Sequence, residues 1–491
     1  MAGRKGVPLV ALAVAITAVA LLIVWFVEGS LSRRAEQVQA RVPGQPAGGA
    51  QMATGADKCS TCHARTTPGI VTQHLASAHA RSGVSCANCH EAQANTPLAR
   101  EHQGTWVVTS PTPNTCGTCH PRPTREFLRS RHGLPAWAAL SGTDDFTPEQ
   151  VRQYDAIEEV TKTPVGIGVS TRNALYDIEG PHVTPAACES CHAVGRPNAD
   201  GSVGTCTSCH LRHQFSLEQA RKPETCNGCH IGPDHPQWEI YQHSKHGVAY
   251  LTSGNSWNWS VPAGRVTPAD IPAATCALCH MSGFGSQGTT HDVGDRLSLY
   301  LFMPMSKWRP NAGENRQRMQ DVCRSCHSGD FVGAVYARAD AVTAKVTSIE
   351  SQAAEIVTRL ESSGRLSKEP FDHPIKFEAF ELWHHWGRTA KFGAYMFGAD
   401  YTQWHGVYEM VKSFTILADE AEALERGGTL ADPVDWPIVK RTPLAQRLAE
   451  WHTGRILPPG HDELPQVTPG GAPLVVPDRI PNAAQGGGHG R

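Results

Sequence analysis

The sequence predicts a mainly α-helical protein with little regular sheet, in which a cofactor-packed region is followed by a C-terminal bundle of long helices. Two observations support this fold class. All 16 cysteines of the 491-residue chain fall in eight Cys-x-x-Cys-His motifs between Cys59 and His327. After the last motif, apolar residues recur at helical spacing over long stretches. The 46 glycines and 35 prolines predict irregular chain and short helices around the motifs.

The repeated motif predicts the cofactor. In Cys-x-x-Cys-His, the two thiols attach a c-type haem as thioethers and the adjacent imidazole is the proximal iron ligand. A zinc site or a redox pair would explain one Cys-x-x-Cys, but neither requires a histidine after every second cysteine. We therefore expect eight covalent c-type haems. The attaching residues are Cys59, Cys62, Cys86, Cys89, Cys116, Cys119, Cys188, Cys191, Cys206, Cys209, Cys226, Cys229, Cys276, Cys279, Cys323 and Cys326. The proximal ligands are His63, His90, His120, His192, His210, His230, His280 and His327.

The other 17 of the 25 histidines supply candidates for the second axial ligand. Any one of them could be a surface or capping histidine. As a set, seven are predicted as distal ligands because they share a local setting or lie close to a motif, and one iron would then stay open. These seven are His79, His102, His132, His182, His213, His246 and His291.

The N-terminus carries an unbroken apolar run from Val7 to Val27, preceded by Arg4 and Lys5. A secretory apolar segment has about 7–15 residues, whereas a bilayer span needs about 20. We therefore expect an uncleaved transmembrane anchor at 7–27, with a cleaved signal peptide as the alternative. Residues 1–6 would be cytoplasmic and residues 28–56, rich in Gly, Pro, Ala and Gln, a flexible linker.

Either alternative places the haem region, residues 57–335, in the periplasm or its equivalent, where c-type haems are attached. Net charge is −2, so nothing in the composition favours nucleic acid as a partner. The membrane is expected as a partner only through the N-terminal segment.

Residues 336–456 predict a helical domain. Val342, Val346, Ile349, Ala353, Ile356 and Leu360 recur at alternating steps of four and three, which is a heptad-like seam on a helix ending near Gly364. Further helices are predicted at about 376–397 and about 402–426, the latter ended by Gly427 and Gly428. The seam suits either an intrachain hairpin or helices from several subunits. Residues 457–491 form a Pro/Gly-rich tail that is predicted to be disordered.

Eight such motifs ahead of a long-helix region resemble the octahaem hydroxylamine oxidoreductase family, which includes hydrazine dehydrogenases. Two strings carry the resemblance further: GPDHPQWEIYQHSKHG from Gly232 to Gly247 and ADYTQWHGVYE from Ala399 to Glu409. The resemblance implies an enzyme that oxidises hydroxylamine to nitric oxide or nitrite, or hydrazine to dinitrogen. Electrons would pass through seven bis-His haems to a cytochrome c or a quinone-linked acceptor. Reduction of nitrite or hydroxylamine, or a pure electron conduit with eight six-coordinate irons, remain alternatives.

The resemblance also implies a catalytic site. In that family the haem of the fourth motif lacks a distal protein ligand, which corresponds here to Cys188, Cys191 and His192. Asp234 and His235 match the pair that lines its distal pocket, where a carboxylate beside an imidazole can accept protons. The alternatives are that the two form a loop pair or that His235 is an ordinary haem ligand.

Tyr401 is matched to a tyrosine that, in the oxidative branch, is bonded covalently to the catalytic porphyrin of a neighbouring subunit, which implies a homotrimer. Tyr395 is its main competitor, and the other alternative is that Tyr401 only packs on Trp404 and Tyr408. Tyr300 is a further pocket candidate. Three more histidines are candidates either for a distal haem ligand or for a residue of the pocket: His384, His385 and His405.

Overall fold

The computed structural model of the protein describes residues 58–158 and 172–427. Within these ranges the chain is mainly α-helical, with two small antiparallel sheets of two strands each, so the predicted fold class is confirmed. The chain divides into two compact units, residues 1–62 and 63–491. Of the first unit, only the start of the first helix is described.

Most helices of the motif region are short. They are α1 Lys58–Thr66, α2 Pro68–Leu75, α3 Ala78–Arg81, α4 Cys86–His90, α5 Pro113–Gly117, α6 Pro121–Leu128, α7 Leu134–Ser141, α8 Pro148–Glu158, α9 Ala174–Glu179, α10 Cys188–His192, α11 Leu217–Arg221, α12 Glu224–Asn227, α13 Gln237–His243, α14 Lys245–Ser253, α15 Cys276–His280 and α16 Ala312–Arg324. Three 3-10 turns lie at Ala193–Gly195, Cys206–Ser208 and Gly254–Ser256. The strands are β1 Arg100–His102, β2 Thr105–Val107, β3 Leu299–Tyr300 and β4 Lys307–Trp308, paired β1 with β2 and β3 with β4.

Local helix formation explains how each motif presents its three functional side chains. Residues three and four apart share one face of a helix. In α4, α10 and α15 the motif is the helix, so both thiols and the imidazole point to the same side. Thr275 caps α15 by accepting a hydrogen bond from the backbone N–H of Leu278.

The C-terminal region begins with α17, Gly329–Ser362, which is capped at its start by the Ser328 side chain and followed by Gly364 at φ +70°. Helix α17 begins before residue 336, where we expected the haem region to end and the helical domain to begin. The expected boundary between residues 335 and 336 therefore falls inside this helix. The other helices are α18 Pro374–Glu381, α19 Arg388–Tyr395, α20 Ala399–Thr402 and α21 Tyr408–Arg426. Two π-helical turns, Leu382–Gly387 and Gln403–Val407, interrupt what the sequence predicts as two continuous helices.

The heptad-like seam packs within the chain. Five of its six residues are buried in one cluster, with Val342 packed against it. The opposite side of this core comes from α18 to α21 and includes Leu382, Met410, Phe414 and Leu417. The intrachain alternative therefore accounts for the seam.

The expected anchor at 7–27, the linker at 28–56 and the tail at 457–491 lie outside the described residues. Among the helices that are described, none combines the length and the apolar character needed to cross a bilayer.

Candidate functional site

Backbone carbonyls orient several motif imidazoles. His90 Nδ1 lies 2.8 Å from the carbonyl of Val108, and His192 Nδ1 lies 2.5 Å from that of Ala136. A carbonyl only accepts, so Nδ1 is the donor and Nε2 is left as the metal-ligating nitrogen. This is the arrangement that a proximal haem ligand needs.

Six motif imidazoles each face an imidazole from outside the motifs, with ring centroids 5.9–6.2 Å apart. A metal ion bound between two imidazoles lies about 2.0–2.1 Å from each ligating nitrogen, and each nitrogen lies about 1 Å from the centre of its ring. When the two bonds are in line, the ring centroids are therefore roughly 6 Å apart. The residues therefore fit six irons held between paired histidines. The pairs are His63–His102, His90–His213, His120–His79, His210–His291, His230–His132 and His327–His246. The His230 ring also lies 5.9 Å from that of His235, edge to face, so His235 adjoins the sixth motif directly.

Two motif imidazoles, His192 and His280, face no second imidazole among the residues that the structure describes. His280 is half-buried near the Arg296 guanidinium, and His132 is also one of its electrostatic neighbours. His182, predicted as a distal ligand, is exposed and belongs to none of the six pairs.

Thiols of different motifs contact each other, and in the haem-loaded protein these sulfurs are thioethers at porphyrin edges. Contacts join Cys116 to Cys206, Cys226 to Cys276, and Cys191 to Cys229. The third motif is thereby next to the fifth, the sixth is next to the seventh, and the fourth is next to the sixth. Neighbouring haem edges would allow electrons to move between them.

One cavity of about 2340 Å³ runs through this region and is lined by residues of the fourth to eighth motifs. A pocket for one small molecule is about 300–1,000 Å³, so this cavity has room for several haems. His192, Asp234, His235 and Tyr300 are all on its wall. Tyr401 is not among the lining residues.

Asp234 and His235 form a close pair. His235 Nδ1 lies 2.6 Å from Asp234 Oδ2, and His235 Nε2 lies 2.6 Å from the backbone carbonyl of Cys229. The first contact is bent away from hydrogen-bond geometry, so we regard it as a close polar contact rather than a full hydrogen bond. Each ring nitrogen faces an oxygen, so a proton on either has an acceptor.

The charges around Asp234 keep it ionised. Burial raises the pKa of this carboxyl, but the contact with His235 and the charge of Arg388 outweigh burial and lower the pKa to about 2. Arg388 Nη1 is 3.7 Å from Asp234 Oδ2. A carboxylate with so low a pKa is a weak base near neutral pH, so Asp234 is better suited to holding the imidazole than to keeping a proton.

Two cavity residues beside Asp234 were not placed there by the sequence. His384 and Arg388 lie in and just after the π-helical turn Leu382–Gly387. Burial lowers the pKa of His384 to about 2, so this imidazole is neutral at working pH. The one sequence signal is the WHHWGR string, which shows polar groups in an aromatic setting but not where they point.

The three candidate tyrosines have different surroundings. Tyr300 is buried, with the Arg309 guanidinium 4.6 Å from its ring centroid. Tyr395 donates its hydroxyl hydrogen bond to Asp340, which gives it a structural partner.

Tyr401 stacks on His405 with 4.8 Å between centroids, and its ring centroid lies 5.7 Å from that of His243. His405 is exposed, with Nδ1 2.8 Å from Asp400 Oδ2. Neither of these ring contacts involves Asp234, and neither Tyr401 nor His405 lines the cavity.

Comparisons with known proteins agree with this geometry. A probable nitrite reductase-hydroxylamine oxidoreductase fusion protein of Kuenenia stuttgartiensis is 28% identical over 334 residues, which are 56% of this chain and 34% of that protein. The chain thus spans about a third of that relative's length. A hypothetical multiheme protein superposes with a TM-score of 0.63 at 21% identity, covering 75% of this chain and 95% of its own. A reducing HAO-like protein complex of Kuenenia stuttgartiensis gives 0.54 at 22% identity, covering 75% and 85%.

These two structures show that the fold is that of multihaem cytochromes. Residues 83–374 match the family described as seven times multi-haem cytochrome CxxCH, and this range holds the motifs from Cys86 to His327. Because the match spans more than half of the chain, the protein belongs to this family of multihaem cytochromes, whose c-type haems are covalently bound.

Proposed function

We propose that this cytochrome is a redox enzyme that oxidises hydroxylamine to nitric oxide or nitrite at the haem attached to Cys188 and Cys191. One observation carries the proposal: His192 is oriented as a proximal ligand, yet it faces no second imidazole among the described residues, unlike six other motif imidazoles. An iron held by His192 would keep a coordination position for substrate.

The Asp–His pair favours His192 over His280 as the site. The Cys191 thiol contacts that of Cys229, and the Cys229 carbonyl is 2.6 Å from His235 Nε2. The fourth motif is thus joined to the pair through the sixth, and all line one cavity. The electrostatic neighbours of His280 are Arg296 and His132 instead of such a pair.

The chemistry requires proton acceptors near the substrate. Oxidation of hydroxylamine to nitric oxide releases three electrons and three protons, and oxidation to nitrite with one water releases four electrons and five protons. The bound haem would hold the substrate nitrogen and accept the electrons. The Asp234–His235 pair lines the same cavity as His192, and this pair is our candidate for receiving the released protons, with Asp234 ionised beside the imidazole.

Electrons would leave through neighbouring haems to a cytochrome c or quinone-linked acceptor. The thiol contacts connect the fourth motif to the sixth and the sixth to the seventh. We propose eight haems in all. Six of them would have two imidazole ligands, and the pairs leave the second ligand of the iron at His280 unassigned.

Multihaem cytochromes of c type are typically extracytoplasmic, which agrees with the periplasmic location we propose.

Reduction of nitrite or hydroxylamine is the second candidate. The oxidative branch of the resembling family needs a tyrosine on the catalytic porphyrin, and Tyr401 lies away from the cavity of its own chain. Oxidation therefore depends on Tyr401 reaching the haem of a neighbouring subunit in the trimer we propose. Hydrazine, which has the size and shape of hydroxylamine, is a further possible substrate.

Turnover measurements test the proposal. We expect hydroxylamine to reduce added cytochrome c in the presence of the haem-loaded protein, at a higher kcat/KM than hydrazine. We also expect cyanide and nitric oxide to shift the spectrum of one haem. A pure electron conduit would show neither effect. Reduction of nitrite by dithionite-reduced viologen without hydroxylamine oxidation would establish the reductive alternative instead.

A further inference from the structure

A π-helical turn forms part of the cavity wall beside Asp234. Such turns are rare and are frequently found at functional sites, because the extra residue redirects side chains. The turn Leu382–Gly387 and the first residue of α19 bring Trp383, His384 and Arg388 to the cavity that Asp234 also lines.

Arg388 is held rigidly but is not saturated with partners. Its Nε–H donates to the Phe302 carbonyl at 2.8 Å, and its guanidinium lies over the rings of Trp383 and Phe302 at 4.9 and 5.3 Å. A guanidinium has five N–H donors. Within the described part of the chain, only the Nε–H makes a direct hydrogen bond, because the 3.7 Å separation from Asp234 Oδ2 is too long for one.

The positive charge of Arg388 is only partly compensated. Asp234 and Glu350 are its neighbouring anions. The Asp234 carboxylate is also 2.6 Å from His235, and the Glu350 carboxylate is paired with Lys391 at 2.8 Å. The Arg388 side chain is 12% exposed, and burial lowers its pKa to about 10, so it remains charged at neutral pH. A buried cation of this kind favours a further anion nearby.

His384 offers a further polar group on the same wall. Its ring stacks on Phe380 with 4.3 Å between centroids, which fixes its orientation. Its Nδ1 is buried and has no hydrogen-bond partner among the described residues. A buried unpartnered ring nitrogen on a cavity wall is suited to binding a ligand atom.

We propose that Arg388 and His384 form an oxyanion subsite that binds nitrite beside the catalytic haem. The inference rests on the proposed function and names the anion that this site would release as product or, in the reductive direction, take as substrate. The planar O–N–O of nitrite presents two oxygens to the guanidinium fork as a carboxylate does. Near neutral pH hydroxylamine is uncharged and hydrazine is largely a cation, and both lack this pair of oxygens.

Nitrite affinity of the haem-loaded full chain tests the subsite directly. By isothermal titration calorimetry with sodium nitrite, Arg388→Gln should raise Kd roughly 10- to 100-fold, the range for losing a charge-assisted hydrogen bond. The nitrite Kd of Arg388→Lys should lie between those of the wild type and Arg388→Gln, since lysine keeps the charge but lacks the paired N–H donors of the guanidinium. His384→Gln should raise Kd roughly 2- to 10-fold. Arg426→Gln, with its side chain 79% exposed on α21, is the control and should change nothing.

Nitric oxide, a neutral ligand, separates anion recognition from loss of pocket structure. Its affinity should stay within about threefold in Arg388→Gln. Unchanged nitrite affinity in that variant, or equal losses for nitrite and nitric oxide, would overturn the subsite. A lowered haem content would show that Arg388→Gln is misassembled. In that case the nitrite affinities of Arg388→Lys and His384→Gln test the subsite. If the wild-type protein binds nitrite through Arg388 but does not oxidise hydroxylamine, the subsite is supported and the proposed reaction is wrong.

Discussion

The imidazoles of His210 and His291 stack across 6.2 Å with their planes 30° apart, although the two residues come from distant parts of the chain. The Glu126 carboxylate accepts a hydrogen bond from the backbone N–H of His291 at 2.9 Å and lies 3.8 Å from its ring nitrogen. Burial, with nearby imidazoles, lowers the pKa of His210 to about 4. Both rings are therefore oriented and available as neutral ligands to one iron.

Replacing His291 should open the iron at the fifth motif. In His291→Ala, we expect one low-spin haem to become high-spin and to bind carbon monoxide after reduction, because the iron loses its second axial ligand. Optical and electron paramagnetic resonance spectra measure this change. His182→Ala is the matched control, since His182 is exposed and unpaired with any motif imidazole in the described ranges, and its spectrum should equal the wild type. Identical spectra for both variants would contradict the pairing.

The local sequence around each histidine explains why the haem-binding residues could be recognised. The Cys-x-x-Cys-His spacing is a covalent requirement, so it identifies attachment sites without any knowledge of the fold. Six of the seven expected distal histidines face a motif imidazole. The sequence could not say which partner each would face, because the pairs join segments through long-range packing.

The cavity wall near Asp234 could not be predicted, for a different reason. A π-helical turn inserts one residue into a helix, and periodicity over 376–397 shows only an ordinary helix. That extra residue decides where His384 and Arg388 point. In the trimer that we propose, the role of Tyr401 would depend on a neighbouring subunit as well, which the pattern of one chain does not reveal.

The number of attached haems is the most direct consequence of the motifs. We expect the mature protein, made with a haem-attachment system, to carry about eight haems, because every cysteine belongs to a Cys-x-x-Cys-His motif. Denaturing mass spectrometry counts the thioether-bound haems. Paired Cys→Ala replacement at Cys323 and Cys326 should remove one. A count of about five or fewer would refute the expectation.

Asp234 should be needed for turnover but not for assembly. Asp234→Asn removes the charge that holds His235, so we expect normal haem content and turnover lower by roughly 10²-fold or more. With a pKa of about 2, Asp234 stays ionised as pH falls until that value, so this carboxylate should cause no loss of activity between pH 5 and 8. Steady-state kinetics at saturating hydroxylamine provides the measurement. Asp419→Asn, on the exposed side of α21, is the control, and unchanged turnover in Asp234→Asn would remove Asp234 from the mechanism.

The fully buried ion pair of Lys391 and Glu350 should hold the cavity wall. Lys391 Nζ is 2.8 Å from Glu350 Oε1 and donates to the Met303 carbonyl at 3.1 Å, while Glu350 accepts from the Met305 N–H at 2.9 Å. Lys391→Met leaves a buried carboxylate without its cation, so we expect a loss of about 3–5 kcal/mol in the free energy of unfolding.

Denaturant unfolding of the haem-loaded protein, followed by circular dichroism, measures that loss. The double variant Lys391→Met with Glu350→Gln should recover much of it, because no charge is then buried alone. Lys412→Met, which breaks the exposed pair with Glu409, should cost less than about 1 kcal/mol. Equal losses in Lys391→Met and Lys412→Met would show that the buried pair has no special role.

We expect Tyr401 to decide the direction of the reaction. In one chain it is half-buried against His405 and outside the cavity, so a bond to a catalytic porphyrin has to reach a neighbouring subunit. Each subunit then gives and receives one such bond, and a heterologous contact closes into a ring by rotation. We expect a trimer that survives denaturing electrophoresis and has an absorption band absent from ordinary c-type haems.

Tyr401→Phe should run as monomers under denaturing conditions, lose that band and shift from hydroxylamine oxidation towards nitrite reduction, because the phenol oxygen needed for the bond is gone. Tyr408→Phe, an exposed tyrosine on α21, is the matched control and should remain a crosslinked trimer. A wild-type chain that already runs as a monomer, with only ordinary c-type spectra, would exclude the crosslink. The reductive alternative would then be preferred, and Arg388 and His384 would bind nitrite as the substrate.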